Sequence, residues 1–422
     1  MNKSQKKTLK KFTSFDLFAG AGGLSHGFSL AGIESTYALE QDKWAGETYA
    51  KNNPNVKLEI RDIRDIADEE IARIGVQFPD VIVGGPPCQG FSHANTANKD
   101  SKDPRNSLFR EFIRFVKVIR PPLCVIENVP GLLRTKLVNG TMAIDAIHDA
   151  FSEIGYGTSW KILNAVDFGV PQRRDRLFII GMRRELGFTS FPWPEATHQS
   201  SDGLMQIDLF DSPNGSGNSQ VSLWDAISDL PQIYATEWHE GLSYPKAPTN
   251  AYQAQMRKFA SELVFNHEPM RHTARITERF ESIGHGQSEA DVPEHLRPRR
   301  RGGNGELSGI VYDQNSRRQH PSTPCNAMVA SSHTNFIHPH LNRNFTVREM
   351  MRIQSFPDHY VVCGKRAVLS KKLSIKKGYT DDVYLDQRAQ IGNAVPPLLA
   401  QAVGLAVGNL LTNNCEERLH AA

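Results

Sequence analysis

Ser14-Phe15-Asp16-Leu17-Phe18-Ala19-Gly20-Ala21-Gly22-Gly23-Leu24-Ser25 is the stretch on which the fold turns. Phe15 to Phe18 has the apolar weight of a short buried strand, and the glycine-rich turn after it enters a helix carrying Phe28 and Leu30. Such a turn lets a ligand touch backbone N–H groups at a helix N-terminus, where the dipole favours negative groups such as a carboxylate. Glycine turns also serve packing alone, so the next two strands matter. Thr36 to Leu39 ends at Glu40, about twenty residues beyond the glycines, where nucleotide-binding α/β folds place an acid for ribose hydroxyls. Val56 to Ile60 then runs into Arg61-Asp62-Ile63, which puts Asp62 at a strand's C-terminal end, the edge where open parallel sheets bind ligands.

Residues 80 to 92 continue the series, with a buried strand from Val81 to Val83 breaking into Gly84-Gly85-Pro86-Pro87-Cys88-Gln89-Gly90-Phe91-Ser92. The glycines permit unusual backbone angles and the prolines fix φ, so Cys88 is presented on a stiffened turn and reads as a nucleophile. Elsewhere a cysteine after an apolar run is a small buried hydrophobe. His93 to Arg105 lacks apolar periodicity and reads as a loop. Ser107 then caps a helix whose Leu108, Phe109, Phe112, Ile113, Val116 and Ile119 recur at helical spacing until Pro121-Pro122. Leu123 to Ile126 forms another buried strand and delivers Glu127 to the edge that bears Cys88, as a nucleophile and a proton donor or acceptor require. A salt-bridged, purely structural Glu127 is the alternative. Gln172-Arg173-Arg174-Asp175-Arg176 precedes a strand from Leu177 to Ile180, and its guanidiniums suit a phosphate or a bidentate carboxylate.

A length of 422 residues predicts two domains, with a boundary near residues 185 to 195 and a linker-like Ser201 to Ser222. Net charge of +3 is too mild to declare a nucleic-acid binder, so such a partner rests on local patches. One patch runs from Asn266 to Arg301 and holds His267, Arg271, His272, Arg275, Arg279 and Arg297-Pro298-Arg299-Arg300-Arg301, tempered by six acids between Glu268 and Glu294. Cysteines 88, 124, 325, 363 and 415 form no CxxC pair, which argues against structural zinc and disulfides and for a reducing cytoplasm. Lys3 to Lys11 reads as a solvated tail, and no run of about 18 apolar residues suggests a membrane span. Gln390-Ile391-Gly392-Asn393-Ala394-Val395-Pro396-Pro397 opens a last apolar helix, expected to return and complete the first domain.

Taken together, Phe15 to Leu24, Pro86 to Gln89, Glu127 to Val129, Gln172 to Arg176, Arg343 to Pro357 and Gln390 to Pro397 resemble the ordered motifs of the cytosine-5 DNA methyltransferases of bacterial restriction-modification systems. The resemblance spans residues 14 to 182 and roughly 321 to 410. It implies an α/β, Rossmann-like methyltransferase domain with a mixed, mainly parallel sheet, at 12–190 and completed by 386–415. A smaller irregular target recognition domain is implied at 191–357, with a basic connecting segment at 358–385. The implied S-adenosylmethionine site comprises Phe18, Ala19, Gly20, Gly22, Gly23, Leu24, Glu40, Gln41, Asp62, Ile63, Pro86, Leu108, Asn393 and Val395. By the same likeness Cys88 is the nucleophile, Glu127 meets cytosine N3, and Arg174 and Arg176 belong to the arginine motif, Arg176 being the better pocket candidate. Duplex DNA is the implied partner, met by Gln89, Ser92, Arg271, Arg275, Arg299, Arg300, Arg301 and Arg343, with a restriction endonuclease as functional partner and the enzyme a cytoplasmic monomer.

Two departures stand out. The Pro357 to Gln390 connection is long and adds Lys365, Arg366, Lys371, Lys372, Lys376 and Lys377, while only about a dozen residues precede the first motif, too few for an appended domain. An RNA cytosine methyltransferase is the nearest rival, but the Cys-Phe-Thr signature of the tRNA-acting members is missing. A DNA-binding regulator with an idle site and a NAD-type dehydrogenase each leave Cys88 and Glu127 unexplained.

Overall fold

The computed structural model describes residues 12–87, 108–137, 140–200, 218–234, 241–299, 306–308, 313, 315–330, 336–366 and 384–421. Cys88, Gln89, Ser92, the stretch from His93 to Ser107, Arg300, Arg301, Lys3 to Lys11 and the lysines at 371, 372, 376 and 377 lie outside them, as does most of Ser201 to Ser222.

A seven-stranded sheet organises the chain. Its strands are β1 (Phe12–Leu17), β2 (Ile33–Glu40), β3 (Lys57–Ile60), β4 (Val81–Gly84), β5 (Leu123–Asn128), β6 (Tyr156–Asn164) and β7 (Asp175–Arg183), in the spatial order β3-β2-β1-β4-β5-β7-β6. The first five pair in parallel, and β7 runs antiparallel to both β5 and β6. Central strands β4 and β5 are buried along their whole length, which is what near-continuous apolar runs such as Val81-Ile82-Val83 and Leu123-Cys124-Val125-Ile126 dictate.

Helices cover both faces. On one side α1 (Gly23–Leu30) packs against the long C-terminal helix α11 (Pro397–Ala421); on the other, α3 (Asp68–Gly75), α4 (Leu108–Ile119) and α5 (Ala143–Glu153) bury Ile71, Phe112, Phe115 and Ile147. α2 (Lys43–Asn52) links β2 to β3. α1 and α11 approach closely because glycine faces them: a Cβ on Gly27 would lie 2.4 Å from both Ala400 Cβ and the Pro397 carbonyl oxygen. The helical stretch 387–414 is long and apolar enough to cross a membrane, yet 67% of its apolar 18-residue window is buried inside the protein, as a core helix requires.

Between sheet and C-terminus come α6 (Leu223–Ile227), α7 (Ala251–Met256), α8 (Ala274–Glu281), α9 (Val347–Ile353) and α10 (Gln387–Asn393). Leu223, Ile227, Tyr252, Met256, Met350 and Phe356 join Val81, Val83, Val125 and Leu399 in one buried cluster, so no break in this core marks residue 190. Asp358, Tyr360 and Val362 are buried too, and the expected connecting segment therefore begins inside the core. A separate small cluster holds Phe280, Ile283, Val292, Leu296 and Ile337. Every residue of α9 is buried, including Arg348 and Arg352. Thr346 and Glu349 form a capping box at its start, and Arg352 is neutralised by Asp358, at 2.5 Å and 2.6 Å, and by Asp229.

Candidate active site

Five parallel strands place their C-terminal ends on one edge, and the antiparallel β7 brings its beginning to the same edge. Asn128 faces Leu177 across that pair, and Glu127 faces Phe178. Residues before and after these ends therefore share one rim, and the candidate site is built along it.

On the cofactor side, the chain leaves β1 through Phe18, which adopts a left-handed φ of 59°, and through Gly20 and Gly22 at φ 54° and 85°. The glycines differ in role. A Cβ on Gly20 would meet nothing within 4 Å, whereas one on Gly22 would lie 2.4 Å from Tyr360 Oη and one on Gly23 2.2 Å from the Val395 carbonyl oxygen. Gly20 thus faces open space, and Gly22 and Gly23 admit the neighbouring chain. Tyr360 Oη donates to the Ala21 carbonyl at 2.6 Å and pins the turn. Ala19 N–H donates to the Leu39 carbonyl at 3.1 Å. Glu40 is held by two N–H donors, Gly20 and Asp42, each at 2.7 Å. Burial pushes its carboxyl pKa up, and those two N–H groups pull it back.

Phe18, Leu39, Glu40, Gln41, Arg61 and Ile63 line a surface hollow beside this turn. Asp62 sits next to it, capping a short 3-10 turn and held by Arg64 through Nε at 2.9 Å and Nη2 at 2.5 Å, which keeps its carboxyl below the ordinary range. An aromatic ring, an apolar Ile63, a buried acid and a glycine open on one side suit the nucleoside and amino-acid parts of S-adenosylmethionine. Asn393 is exposed at the end of α10, Val395 is buried beside Gly23, and Leu24 and Leu108 belong to the two cores.

On the catalytic side, the peptide before Cys88 is fastened. Asn128 Nδ2 donates to the Pro86 carbonyl at 3.0 Å, and the Val129 N–H donates back to Asn128 Oδ1 at 2.8 Å. Glu127 is buried beside this anchor, with Oε1 2.7 Å from Arg176 Nε. A Cβ on Gly85 would come 3.1 Å from Glu127 Oε2, so the second glycine keeps room for the carboxylate. Burial raises the Glu127 pKa, and the Arg176 and Arg174 guanidiniums oppose that rise. The buried thiols Cys124 and Cys325 are pushed well above the ordinary cysteine range by desolvation, so neither is a nucleophile. Among the described residues, no three His, Cys, Asp or Glu side chains gather to hold a metal.

Arg174 departs from expectation. Its two Nη groups donate to the Met328 and Gly392 carbonyls, the latter at 2.6 Å, so it faces the protein interior while Arg176 faces Glu127. Arg343, expected on DNA, is a correction of the same kind. It is buried, holds Glu349 bidentately at 2.8 Å and 2.7 Å, and donates Nε to the Ile233 carbonyl, which leaves no guanidinium face for a phosphate. Arg271 and Arg299 are exposed, and Arg275 is partly exposed with one Nη on the Arg297 carbonyl. Sequence reasoning missed Tyr360, and it placed Gln172 and Gln354 in separate motifs without the pairing of their amides, which bond at 2.9 Å in the core. No local pattern links residues so far apart.

Comparison with known proteins gives the family. The family described as C-5 cytosine-specific DNA methylase matches residues 12–409. The Type II methyltransferase M.DdeI of Desulfomicrobium norvegicum is 46% identical over 92% of this chain and 86% of its own length. M1.HphI of Haemophilus parahaemolyticus, another Type II methyltransferase, is 34% identical over 95% of this chain and 88% of its own. A solved Escherichia coli prophage protein, described as a DNA modification methyltransferase, superposes with a TM-score of 0.67 at 24% identity, over 95% of this chain and 99% of that one. That structural match speaks for the fold, and the family match spans nearly the whole sequence. The chain belongs to the C-5 cytosine-specific DNA methylases.

Proposed function

We propose that the protein is a DNA (cytosine-5-)-methyltransferase that transfers the methyl of S-adenosylmethionine to C5 of one cytosine turned out of a specific duplex sequence. Cytosine C5 is a poor nucleophile, so the Cys88 thiolate first adds at C6, and electron density moves to C5 and N3. Glu127 supports the reading most directly. Its burial favours the protonated form, which can give a proton to N3 as charge develops there, and Arg176 orients the carboxyl. S-adenosylmethionine, when bound, supplies an electrophilic methyl at a sulfonium. Loss of the C5 proton to a base, departure of the Cys88 sulfur as thiolate and return of the N3 proton to Glu127 restore the aromatic ring.

Phe18 and Ile63 would flank the cofactor's base, Glu40 would take its ribose hydroxyls, and Asn393 with Val395 would close the site. Stacking hides C6 in duplex DNA, so the base must leave the helix, at a cost of about a few kcal/mol. Target reading falls to residues 191–357, where Arg271, Arg275 and Arg299 offer the basic contacts. The relatives carry Type II names, which supports a protective role beside a restriction endonuclease.

The test is transfer of labelled methyl from S-adenosylmethionine to duplex DNA, wild type beside Cys88→Ala, with bisulfite sequencing of the product. Label at C5 of cytosine in one short motif, abolished in the variant, is the expected result. A folded, cofactor-binding wild type that methylates RNA and leaves DNA unlabelled would overturn the reading.

A further inference from the structure

Two side chains upstream of Arg176 reach into the interior and hold two distant segments. Gln172 Oε1 accepts the Met328 N–H at 2.8 Å, and Gln172 Nε2 donates to Gln354 Oε1 at 2.9 Å. Gln354 Nε2 passes the link on to the Ile391 carbonyl at 2.9 Å. Arg174 donates to the Met328 and Gly392 carbonyls. Gln172, Gln354 and Arg174 are all buried.

The pattern has a physical reading. Ile391 and Gly392 lie in the last turn of α10, where carbonyls attract donors and positive charge. Ile391 accepts Gln354 Nε2 beside the Ala394 N–H at 3.2 Å, and Gly392 accepts Arg174. The residues that follow are Asn393 to Val395, whose far end presses on Gly23 of the glycine turn. Met328 has its N–H and its carbonyl fixed by the same two side chains, in a segment whose Cys325 and Asn326 pair in parallel with Gln172 and Arg173. A Cβ on Gly392 would fall 2.5 Å from the Val329 carbonyl oxygen, so the two held segments also touch each other. A guanidinium buried on carbonyls fixes the segments it joins in one geometry, because its donors lie in a rigid planar fork.

We infer that Gln172 and Arg174 are positioning residues that tie the cofactor-side turn Asn393–Val395 and the segment Cys325–Ala330 to the strand presenting Arg176 to Glu127. The inference rests on the proposed methyl transfer to DNA and adds how its two substrates' sites are kept in register. Gln354 is the branch towards the cofactor, and Arg174 is shared between both.

The test compares Gln354→Met, Arg174→Ala and Arg174→Lys in the full chain. Dissociation constants for S-adenosylhomocysteine are measured by calorimetry, KM for duplex DNA by methyl transfer, and stability by urea. Gln354→Met keeps the volume and removes both of its bonds, from Gln172 and to Ile391, so the S-adenosylhomocysteine constant should rise about tenfold or more, with KM for DNA unchanged. Arg174→Ala should raise both, and Arg174→Lys, which can still reach one carbonyl, should recover part of the loss. If Gln354→Met and Arg174→Lys lower stability alone and leave both constants at wild-type values, the residues are merely structural and the inference fails. Should wild type bind S-adenosylhomocysteine but methylate no DNA, the proposed function fails, while the calorimetric comparison of Gln354→Met still decides the link to the cofactor turn.

Discussion

Two glycines in packed helices predict opposite effects of one methyl group. In α1, Gly27→Ala would place a Cβ 2.4 Å from Ala400 Cβ, 2.4 Å from the Pro397 carbonyl oxygen and 2.8 Å from the Gln401 backbone nitrogen. Carbon contacts settle near 3.5 to 4.0 Å, so α1 and α11 must part by about 1 Å. Two of the three obstacles are backbone, which no rotamer change can move aside. Overpacking of this kind costs about 1 to 3 kcal/mol, against a gain of at most about 1 kcal/mol from replacing a helical glycine with alanine. The expected net loss is about 0 to 3 kcal/mol, and the two backbone obstacles put it toward the upper end. Gly408 in α11 is the control, because a Cβ there would meet nothing within 4 Å, and Gly408→Ala should gain about 0.5 to 1 kcal/mol. Urea denaturation followed by circular dichroism reads both, as midpoints displaced in opposite directions at constant slope. Val395 lies just before α11 and against Gly23, so Gly27→Ala should also weaken S-adenosylhomocysteine binding. A Gly27→Ala protein as stable as Gly408→Ala would refute the close-packing argument.

Other perturbations reach the site itself. Glu127→Gln should lower kcat by about 10²- to 10⁴-fold, since the amide can donate a hydrogen bond to N3 but transfers no proton. Wild-type kcat should fall as pH rises through the raised Glu127 pKa, and Arg176→Ala, by removing a charge that holds this pKa down, should move that alkaline limb to higher pH in a kcat profile. Asp16 is buried under α1 with its pKa pushed up to about 7 by desolvation, so the folded state holds a proton that the unfolded chain releases near pH 4. Wild type should therefore lose stability, of order a few kcal/mol, between about pH 4 and pH 7. Asp16→Asn should match it at pH 4 and exceed it at pH 8 in urea titrations; equal stability at pH 8 would refute the buried-charge account. Tyr360→Phe leaves the Ala21 carbonyl without its donor and should cost about 1 to 3 kcal/mol by the same assay.

Much of this architecture was legible because parallel strands advertise themselves. Val81 to Val83 and Leu123 to Ile126 are apolar on both faces, and acids or glycines at their ends mark the binding edge. β7 is different. Its apolar run is the same whichever way the strand points, so an expectation of arginines before a strand gives no edge until its antiparallel pairing with β5 is known. That reversal alone brings Arg176 to Glu127. Asp16 carried a signal that period-two alternation contains: Phe15 and Leu17 face the α4 side, and Asp16 between them must face α1, where it meets Ser25. The Gln172–Gln354 pair had no such signal, being joined only in the folded core.

Arginine is where reading composition as surface fails most clearly in this protein. Arg174, Arg318, Arg343, Arg348, Arg352 and Arg388 are all buried. Arg343 and Arg352 are balanced by Glu349, Asp229 and Asp358, but Arg318 is held chiefly by backbone carbonyls, those of Ile283, Phe280 and His338 among them. A planar group with five donors can gather several irregular loops at once, which an ammonium or an apolar side chain cannot do. The segment from 223 to 362 has short helices and two-residue strands, so few of its carbonyls find partners in regular ladders. Buried guanidiniums supply those partners. A net charge of +3 therefore locates nothing: part of the positive charge closes the interior, and only the exposed share, Arg271 and Arg299 among it, is available to a partner.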